Sequence, residues 1–199
     1  SEFLASRQRE NGLRVELHVF PADAATLTLD EHTNPLAWTP RAASLEIVEP
    51  AGEAGPICSY AREPLCLLSN SAATPPEGLV AEVVLIHSGT QPEDYAGLDV
   101  TGKIVFTDVW PLRADEQARR RGALGLITDS VTPPWLYSFP PVRLPADTPD
   151  LTMWGTLNGH PPADAGSLWG FSLSPRQGAR LRRILQESKS TLRLRARVD

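Results

Sequence analysis

The chain has 199 residues and a formal net charge of −5 at pH 7, with 41% apolar and 22% charged side chains. These values are ordinary for a globular protein, and the length suits one large domain or one and a half small ones. No apolar stretch approaches the ~20 residues that a membrane-spanning helix needs, so the sequence excludes a membrane span within these residues.

Charge is distributed unevenly along the chain. From Arg176 to the end there are eight basic and two acidic residues, whereas the remainder is acidic. A basic end is one sign of a nucleic-acid partner. However, Arg193, Arg195 and Arg197 alternate with apolar residues, which is typical of the solvent-facing side of a strand. We therefore expect no nucleic-acid partner.

Hydrophobic periodicity and turn residues predict the elements of the first half of the chain. They are a helix over residues 3–11 that Gly12 terminates, an alternating strand over 13–20, an extended connection over 21–41, and strands over 45–48 and 81–87. The stretch from 57 to 68 is ambiguous, because Pro64 would break a central strand there.

The middle of the chain has the pattern of a strand, a helix and a second strand. Apolar runs at 104–106 and 123–127 predict two buried strands, and residues 114–121 between them are compatible with a helix. This order favours a βαβ unit with parallel strands. Gly122 and Gly125 suit a helix C-terminus and a close helix–strand approach, where a Cβ would clash.

The last third of the chain is predicted to contain a strand at 152–157, a helix at 175–187 and an alternating strand at 191–198. The helix has the strongest signals. Ser174 is a good N-cap, a proline takes the first helical position, and Gln177 completes a capping box.

The central region resembles the protease-associated domain, an insert found in several peptidase families and in some receptors and ubiquitin ligases. The family pattern is an Asp-x-x-Gly-Lys-Ile-Val strand, a helix that carries an alanine, and then Gly-Ala-x-Gly-x-Ile. The matching residues here are Asp99, Gly102, Lys103, Ile104, Val105, Ala118, Gly122, Ala123, Gly125 and Ile127. The resemblance implies structural roles for six of them: Asp99, Gly102, Lys103, Gly122, Ala123 and Gly125.

Three flanking segments, 12–21, 77–86 and 170–181, resemble the surroundings of this domain in di-zinc aminopeptidases and glutamate carboxypeptidase-like zinc exopeptidases. Residues 21–41 and 132–166 match poorly. The resemblance implies an α/β protease-associated-like fold. It would have a mixed central sheet or open barrel with a βαβ unit, and a C-terminal helix followed by a returning strand.

The resemblance also implies how the chain is organised. Residues 1–40 would lead in from the peptidase side with a strand, 41–187 would form the protease-associated-like domain, and 188–199 would return toward a catalytic domain outside this sequence. In the resembled peptidases the insert leaves and re-enters through neighbouring strands. We therefore expect residues 13–20 to pair with 191–198 and regard the chain as a fragment of a longer protein.

The function implied is that of a non-catalytic domain in a larger zinc exopeptidase, an aminopeptidase or carboxypeptidase. There it would control substrate access or mediate protein contacts. Its partners would be the catalytic domain of the same polypeptide and a peptide or protein substrate. Zinc would belong to that catalytic domain, and the parent protein would be extracellular, periplasmic or part of the cell envelope.

Residue types that carry catalysis are scattered. The histidines stand at positions 18, 32, 87 and 160, without a His-Glu-x-x-His or His-x-Asp motif. A Gly-x-Ser-x-Gly turn and a glycine-rich phosphate-binding loop are also missing. Residues 30–32, Asp-Glu-His, are the one tight acid–histidine group and fit a solvated turn. We expect no catalytic, cofactor or metal site within the chain.

The central helix carries two charged groups, one near its start and one at its end. Asp115 and Glu116 would lie near its start, where acidic side chains are favoured by the helix dipole. Arg119, Arg120 and Arg121 would form a solvated helix end.

The best candidate for an interaction surface is the segment 132–141, in which Trp135, Tyr137 and Phe139 alternate among prolines. Such residues are typical anchors for peptides or partner proteins. Alternatively, they cover one side of a sheet, because large aromatic residues are usually mostly buried. This segment supports a second function, a free-standing peptide- or protein-binding module.

The two cysteines, Cys58 and Cys66, are eight positions apart. They would form a local disulfide in an exported protein or stay as two buried thiols, and the sequence leaves both options open.

Overall fold

A computed structural model describes residues 2–23, 25–27, 33–34, 37–131, 146–160, 166–187 and 191–199. They form two compact units, Ser1–Ala37 and Trp38–Asp199. None of the helices in these residues is long and apolar enough to cross a bilayer.

The first unit begins with helix α1, Glu2–Glu10, which ends at Gly12 with a φ of +80°, as the sequence predicts. The strand predicted at 13–20 is wrong, because these residues adopt no strand. Leu13, Leu17 and Val19 are exposed, Val19 to 91%. A strand needs a paired neighbour and a buried face, and the described residues of this unit supply neither for 13–20.

The described residues of the second unit form a seven-stranded mixed sheet and two α-helices. Its elements are β1 (Ala43–Glu49), β2 (Gly55–Ser59), β3 (Leu79–Leu85), β4 (Ile104–Thr107), α2 (Pro111–Arg120), β5 (Gly125–Thr128), β6 (Trp169–Ser172), α3 (Pro175–Glu187) and β7 (Arg193–Val198). The strand order is β2-β1-β7-β3-β4-β5-β6. The sheet curls into a half-barrel, which confirms the predicted fold class.

The sheet is antiparallel on one side and parallel on the other. Strands β2, β1, β7 and β3 pair antiparallel, whereas β3, β4, β5 and β6 pair parallel. The predicted βαβ unit is confirmed as β4-α2-β5. Both of its strands are buried along their whole length, which explains why their sequences are apolar rather than alternating.

Strand β7 lies in the middle of the sheet. It pairs with β1 on one side and β3 on the other, so both of its edges are occupied. The expectation that residues 13–20 pair with it is therefore wrong. The alternation predicted for β7 is confirmed, since Leu194 and Ala196 are buried while Arg195 and Arg197 reach solvent and contact Glu46.

Two other differences concern short elements. Residues 152–157 form no strand and contribute one isolated bridge, between Thr156 and Ser69. Strand β6 has no counterpart in the predicted elements. It has four residues, all buried, so neither length nor alternation marks it, and Gly170 within it packs closely against Leu68.

Two apolar clusters lie on opposite faces of the sheet. In β4, Ile104 and Phe106 belong to the cluster that contains α3, whereas Val105 belongs to the cluster that contains α2. Leu181 and Ile184 form the buried apolar stripe of α3. Each fully buried side chain of this size contributes about 1.5–3 kcal/mol to stability.

The capping box of α3 is confirmed. The backbone N–H of Ser174 donates to Gln177 Oε1 at 2.8 Å, and the backbone N–H of Gln177 donates to Ser174 Oγ at 3.3 Å. Gln177 Nε2 also donates to the carbonyl of Ile57 at 2.9 Å, which joins the first turn of α3 to β2.

Helix α2 begins at Pro111, earlier than predicted, so Asp115 lies in its second turn. Arg119 and Asp115 are buried, with 4% and 2% of their side chains exposed, and Arg119 Nε donates to Asp115 Oδ1 at 2.7 Å. Asp115 Oδ2 accepts the N–H of Asn158 at 3.3 Å, and Arg119 Nη1 donates to the carbonyl of Gly166 at 2.8 Å. The prediction of a solvated helix end is wrong for Arg119, because its side chain pairs with Asp115 on the inner face of the helix. Asp115 does not lie in the first turn, where the helix dipole would favour it.

Their neighbours are more exposed. Glu116 and Arg120 form a solvent-facing pair, with Arg120 Nε 2.9 Å from Glu116 Oε1. Arg121 places its guanidinium over the ring of Tyr95, 4.5 Å from the centroid. Within the arginine run, Arg120 thus lies at a solvated helix end, whereas Arg119 makes buried structural contacts.

Candidate functional site

The carboxyl ends of the parallel strands β3 to β6 form one edge of the sheet, the place where α/β proteins most often bind ligands. Strands β4 and β5 both end in threonine and are followed by aspartate. The hydroxyl of Thr107 donates to the carbonyl of Ser88 at 2.6 Å, and that of Thr128 donates to the carbonyl of Val109 at 2.8 Å. Each bond fixes the turn after the preceding strand. We call this edge the carboxyl-edge surface.

Asp108 organises the turn that follows β3. Its Oδ1 accepts the backbone N–H of Ser88 at 3.0 Å, and its Oδ2 lies 3.3 Å from Nδ1 of His87. Ser88 has a φ of +63°, a left-handed conformation that is uncommon outside glycine. The side chains of His87 and Asp108 are 82% and 44% exposed. They can therefore donate and accept hydrogen bonds to a partner at this edge.

Asp129, after β5, is buried and accepts two hydrogen bonds from the guanidinium of Arg182 on α3, including one from Nη2 to Oδ1 at 2.8 Å. The guanidinium also lies over the ring of Phe106, 4.5 Å from its centroid. Hydrogen bonding to Asp129, with a further contribution from the charge of Asp108, raises the pKa of Arg182. Gly178 leaves the space for the carboxylate, since a Cβ there would clash with it.

Among the residues that the structure describes, the donor atoms at this edge do not fit a zinc centre. His87 and Asp108 supply two ligands, whereas protein zinc sites use three or four, and Asp129 is already bound by Arg182. Across the described ranges, no group of three or more His, Cys, Asp or Glu side chains could hold a metal ion.

Aromatic residues lie beside the carboxyl-edge surface. Trp110, just after the turn that follows β4, is buried and packs edge-to-face against Trp154, with ring centroids 5.0 Å apart. Trp154 is 46% exposed. The predicted surface residues Trp135, Tyr137 and Phe139 lie outside the described residues, and their role stays a prediction. Their segment follows β5 in the chain, and β5 ends at this same edge.

The six motif residues lie around the opposite, amino ends of β4 and β5. Asp99 Oδ1 accepts the N–H of Thr101 at 2.9 Å, and this bond lowers the pKa of Asp99. Gly102 has a φ of +69° and donates its N–H to the carbonyl of Gly122 at 2.8 Å. Gly122, with a φ of +72°, follows the last turn of α2, as predicted. These contacts form the turns that lead into the two strands.

The other motif residues also make packing or surface contacts. Lys103 Nζ lies 3.5 Å from the carboxylate of Glu82, and Ala123 is buried. The predicted reason for Gly125 is wrong. The space beside it is filled by the ring of Trp169 on the neighbouring strand β6, and not by a helix.

Comparison with known proteins gives matches to solved structures alone; no family model and no curated protein matches the chain. BSAP, a zinc aminopeptidase from Bacillus subtilis, covers 100% of this chain with 36% of its own, at a TM-score of 0.59 and 16% identity. An aminopeptidase from Aneurinibacillus sp. strain AM-1 covers 81% of this chain with 31% of its own length, at a TM-score of 0.53 and 20% identity. A peptidase M28 precursor from Shewanella amazonensis covers 80% of this chain with 35% of its own length, at a TM-score of 0.53 and 16% identity.

The chain has the fold of a segment of these peptidases. It spans about a third of their length. At these identities the likeness concerns the fold, and activity, metal and substrate belong to the proposal below.

Sequence reasoning missed the polar groups of the carboxyl-edge surface. A usable signal was present, because Thr-Asp follows each of the two apolar runs of the βαβ unit, and the carboxyl ends of parallel strands meet at one edge. Arg182 offered no such signal, since 53 positions separate it from Asp129.

Proposed function

We propose that Trp38–Asp199 is a protease-associated domain, a non-catalytic part of a larger zinc-dependent exopeptidase of the aminopeptidase type. In that role it limits which substrates reach a catalytic domain of the same polypeptide, or it mediates protein contacts. The zinc and its ligands would belong to the catalytic domain. An exported location, outside the cell or in its envelope, is part of the same proposal.

The observation that carries this proposal is that the second unit begins and ends at one place. Ala43, the first residue of β1, pairs with Val198, the last residue of β7. The N–H groups of Arg41 and Ala42 donate to the carbonyl of Asp199 at 2.7 and 3.1 Å, and the N–H of Asp199 donates to the carbonyl of Ala42 at 2.8 Å. A domain with adjoining ends can be inserted into another domain without separating the flanking chain.

The segment 13–20 supports the same proposal. Leu13, Leu17 and Val19 alternate with polar residues, yet all three are exposed within the 199 residues. Exposed apolar residues that follow one another in this way are typical of a surface that another domain covers. In the larger protein we expect this segment to become a strand of the catalytic domain.

The exposed ring of Trp154 favours the second candidate function, a free-standing peptide- or protein-binding module. It lies beside the carboxyl-edge surface with Trp110, and aromatic anchors of this kind are enriched at interfaces. The two candidates differ in what the unit does for hydrolysis.

The test uses the longer polypeptide in which these 199 residues occur. Residues 43–198 are replaced by a short glycine–serine linker, which can join the flanking chain because Ala43 and Val198 are paired neighbours. Values of kcat/KM are measured for an aminoacyl 4-nitroanilide and for a peptide of about ten residues, together with bound zinc. We expect kcat/KM for the small substrate to change by less than about threefold, and kcat/KM for the long peptide to change by about tenfold or more.

Two results would contradict the proposal. Loss of zinc and of both activities, in a linker variant that stays folded by circular dichroism, would place catalytic groups inside the unit. Unchanged kcat/KM for both substrates would remove the access role and favour the binding module. As a control, the double variant His87→Ala/Asp108→Ala keeps the unit but alters the carboxyl-edge surface, and it should retain zinc and activity on the small substrate.

A further inference from the structure

The two outermost strands of the curled sheet are linked by one short connection. Strand β2 is the first strand of the sheet order and β6 is the last. After β2 the chain makes a 3₁₀ turn at Pro64–Cys66, and the next residue, Leu67, forms an antiparallel bridge with Phe171 of β6. The N–H of Leu68 donates to the carbonyl of Gly170 at 3.1 Å. The connection 60–66 therefore closes the half-barrel.

A cysteine stands at each end of this connection. Cys58 lies on β2, opposite Leu45 of β1, and Cys66 ends the 3₁₀ turn. Strand β2 and the 3₁₀ turn contact each other, and the Cys66 side chain is the strongest influence on the Cys58 thiol. Both residues pack in the same apolar cluster as Phe171 and Leu45. They are the only cysteines of the chain, and both are free thiols here.

The two thiols differ in how solvent reaches them. Cys66 is fully buried, whereas Cys58 is half-buried and lines a cleft of about 520 Å³ between β2 and the first turn of α3. A small oxidant in the cleft would meet Cys58 first. The neighbouring Cys66 side chain, together with burial, raises the pKa of the Cys58 thiol. Oxidation of the folded reduced protein should therefore be slow at neutral pH, since the thiolate is the reactive form.

We propose that Cys58 and Cys66 form an intramolecular disulfide that fastens β2 to the segment paired with β6. The Cys58 thiolate attacks one sulfur of a small-molecule disulfide such as oxidised glutathione, and one glutathione thiolate leaves. Cys66 then loses its proton and attacks the Cys58 sulfur, which expels the second glutathione. The two protein thiols give up two electrons and two protons, and the oxidant becomes two thiols.

The test is a redox equilibration of the full 199-residue chain with reduced and oxidised glutathione at several ratios, started from both the reduced and the oxidised protein. Each sample is quenched in acid, labelled with N-ethylmaleimide in denaturant and weighed as intact protein. We expect a species without label, lighter than the reduced chain by two hydrogen atoms. The proposal would be overturned if the chain carried two N-ethylmaleimide labels at every glutathione ratio. It would also be overturned if the oxidised product were a mixed disulfide with one glutathione per chain.

Urea unfolding of the oxidised and reduced chains gives a second readout. The bond closes a loop of nine residues, for which chain entropy predicts a folding constant roughly 80-fold larger in the oxidised protein. A Cys58→Ser/Cys66→Ala variant should unfold at the same urea concentration under both conditions. An oxidised chain that is no more stable than the reduced one would contradict the proposed disulfide.

Discussion

The buried ion pair of helix α2 offers the sharpest test of the fold. Replacing Arg119 by methionine keeps most of the side-chain volume but leaves the carboxylate of Asp115 buried at 2% exposure without its partner. Removing one member of a buried pair costs about 3–5 kcal/mol. Glu116 and Arg120 form the matched control, the same i,i+4 pair on the same helix, but 61% and 52% exposed. The variant Arg120→Met should cost less than about 1 kcal/mol.

The assay is urea unfolding followed by far-UV circular dichroism. At an m-value of 2–3 kcal/mol per molar, which is roughly that of a small protein, the Arg119→Met midpoint should fall by about 1–2.5 M. The double variant Asp115→Leu/Arg119→Met should recover part of this loss, since no unpaired charge remains buried. Equal midpoints for Arg119→Met and Arg120→Met would refute the reasoning, because burial would then make no difference to the pair.

Three further predictions concern α3 and its partners. Gly178→Ala should lower the free energy of unfolding by about 2–4 kcal/mol, because the new Cβ displaces the Asp129 carboxylate. Gly52→Ala is the control: nothing surrounds that position, so the variant should leave thermal denaturation unchanged. Ser174→Ala should cost about 1 kcal/mol in urea unfolding through the lost N-cap, and a neutral result would contradict that cap. Two arginines of α3 lower the pKa of Glu53 below its usual 4.5. The contribution of Glu53 to stability is therefore complete above pH 4.5 and is lost as the pH falls through the lower folded-state pKa. Glu53→Gln should flatten the acid side of a stability–pH profile, and an unchanged profile would argue against ion pairs between Glu53 and these arginines.

The sequence predicts the parts of the fold that rest on local signals. The apolar runs at 104–106 and 123–127 mark buried parallel strands, and the Ser174 capping box marks the start of α3. Strand β6 escapes prediction because four buried residues have no alternation to detect. Residues 13–20 show the reverse case: an alternating pattern describes a strand that needs a neighbour, and none of the described residues of the first unit supplies it.

The buried polar contacts, both on α2 and at the candidate site, were less accessible to sequence reasoning, for a physical reason. Burial of Asp115 depends on Asn158 and on Arg119, and only the arginine lies within one helical turn. The pairing of Asp129 with Arg182 depends on how α3 crosses the sheet. Contacts between distant residues of opposite charge leave no period in the sequence. The motif residues at 99–103 and 122–125, by contrast, form local turns that the sequence marks with glycine, and these turns lie at the end of the strands away from the carboxyl-edge surface.

The most direct measurement of the central claim is the sequence of the polypeptide on either side of these 199 residues. An inserted non-catalytic domain predicts a His-x-Asp motif beyond Asp199, followed by paired glutamates and by further aspartate and histidine ligands for two zinc ions. A membrane span followed by RING-like cysteines, or a chain that ends without those ligands, would contradict the claim and leave the binding module as the function of the fold.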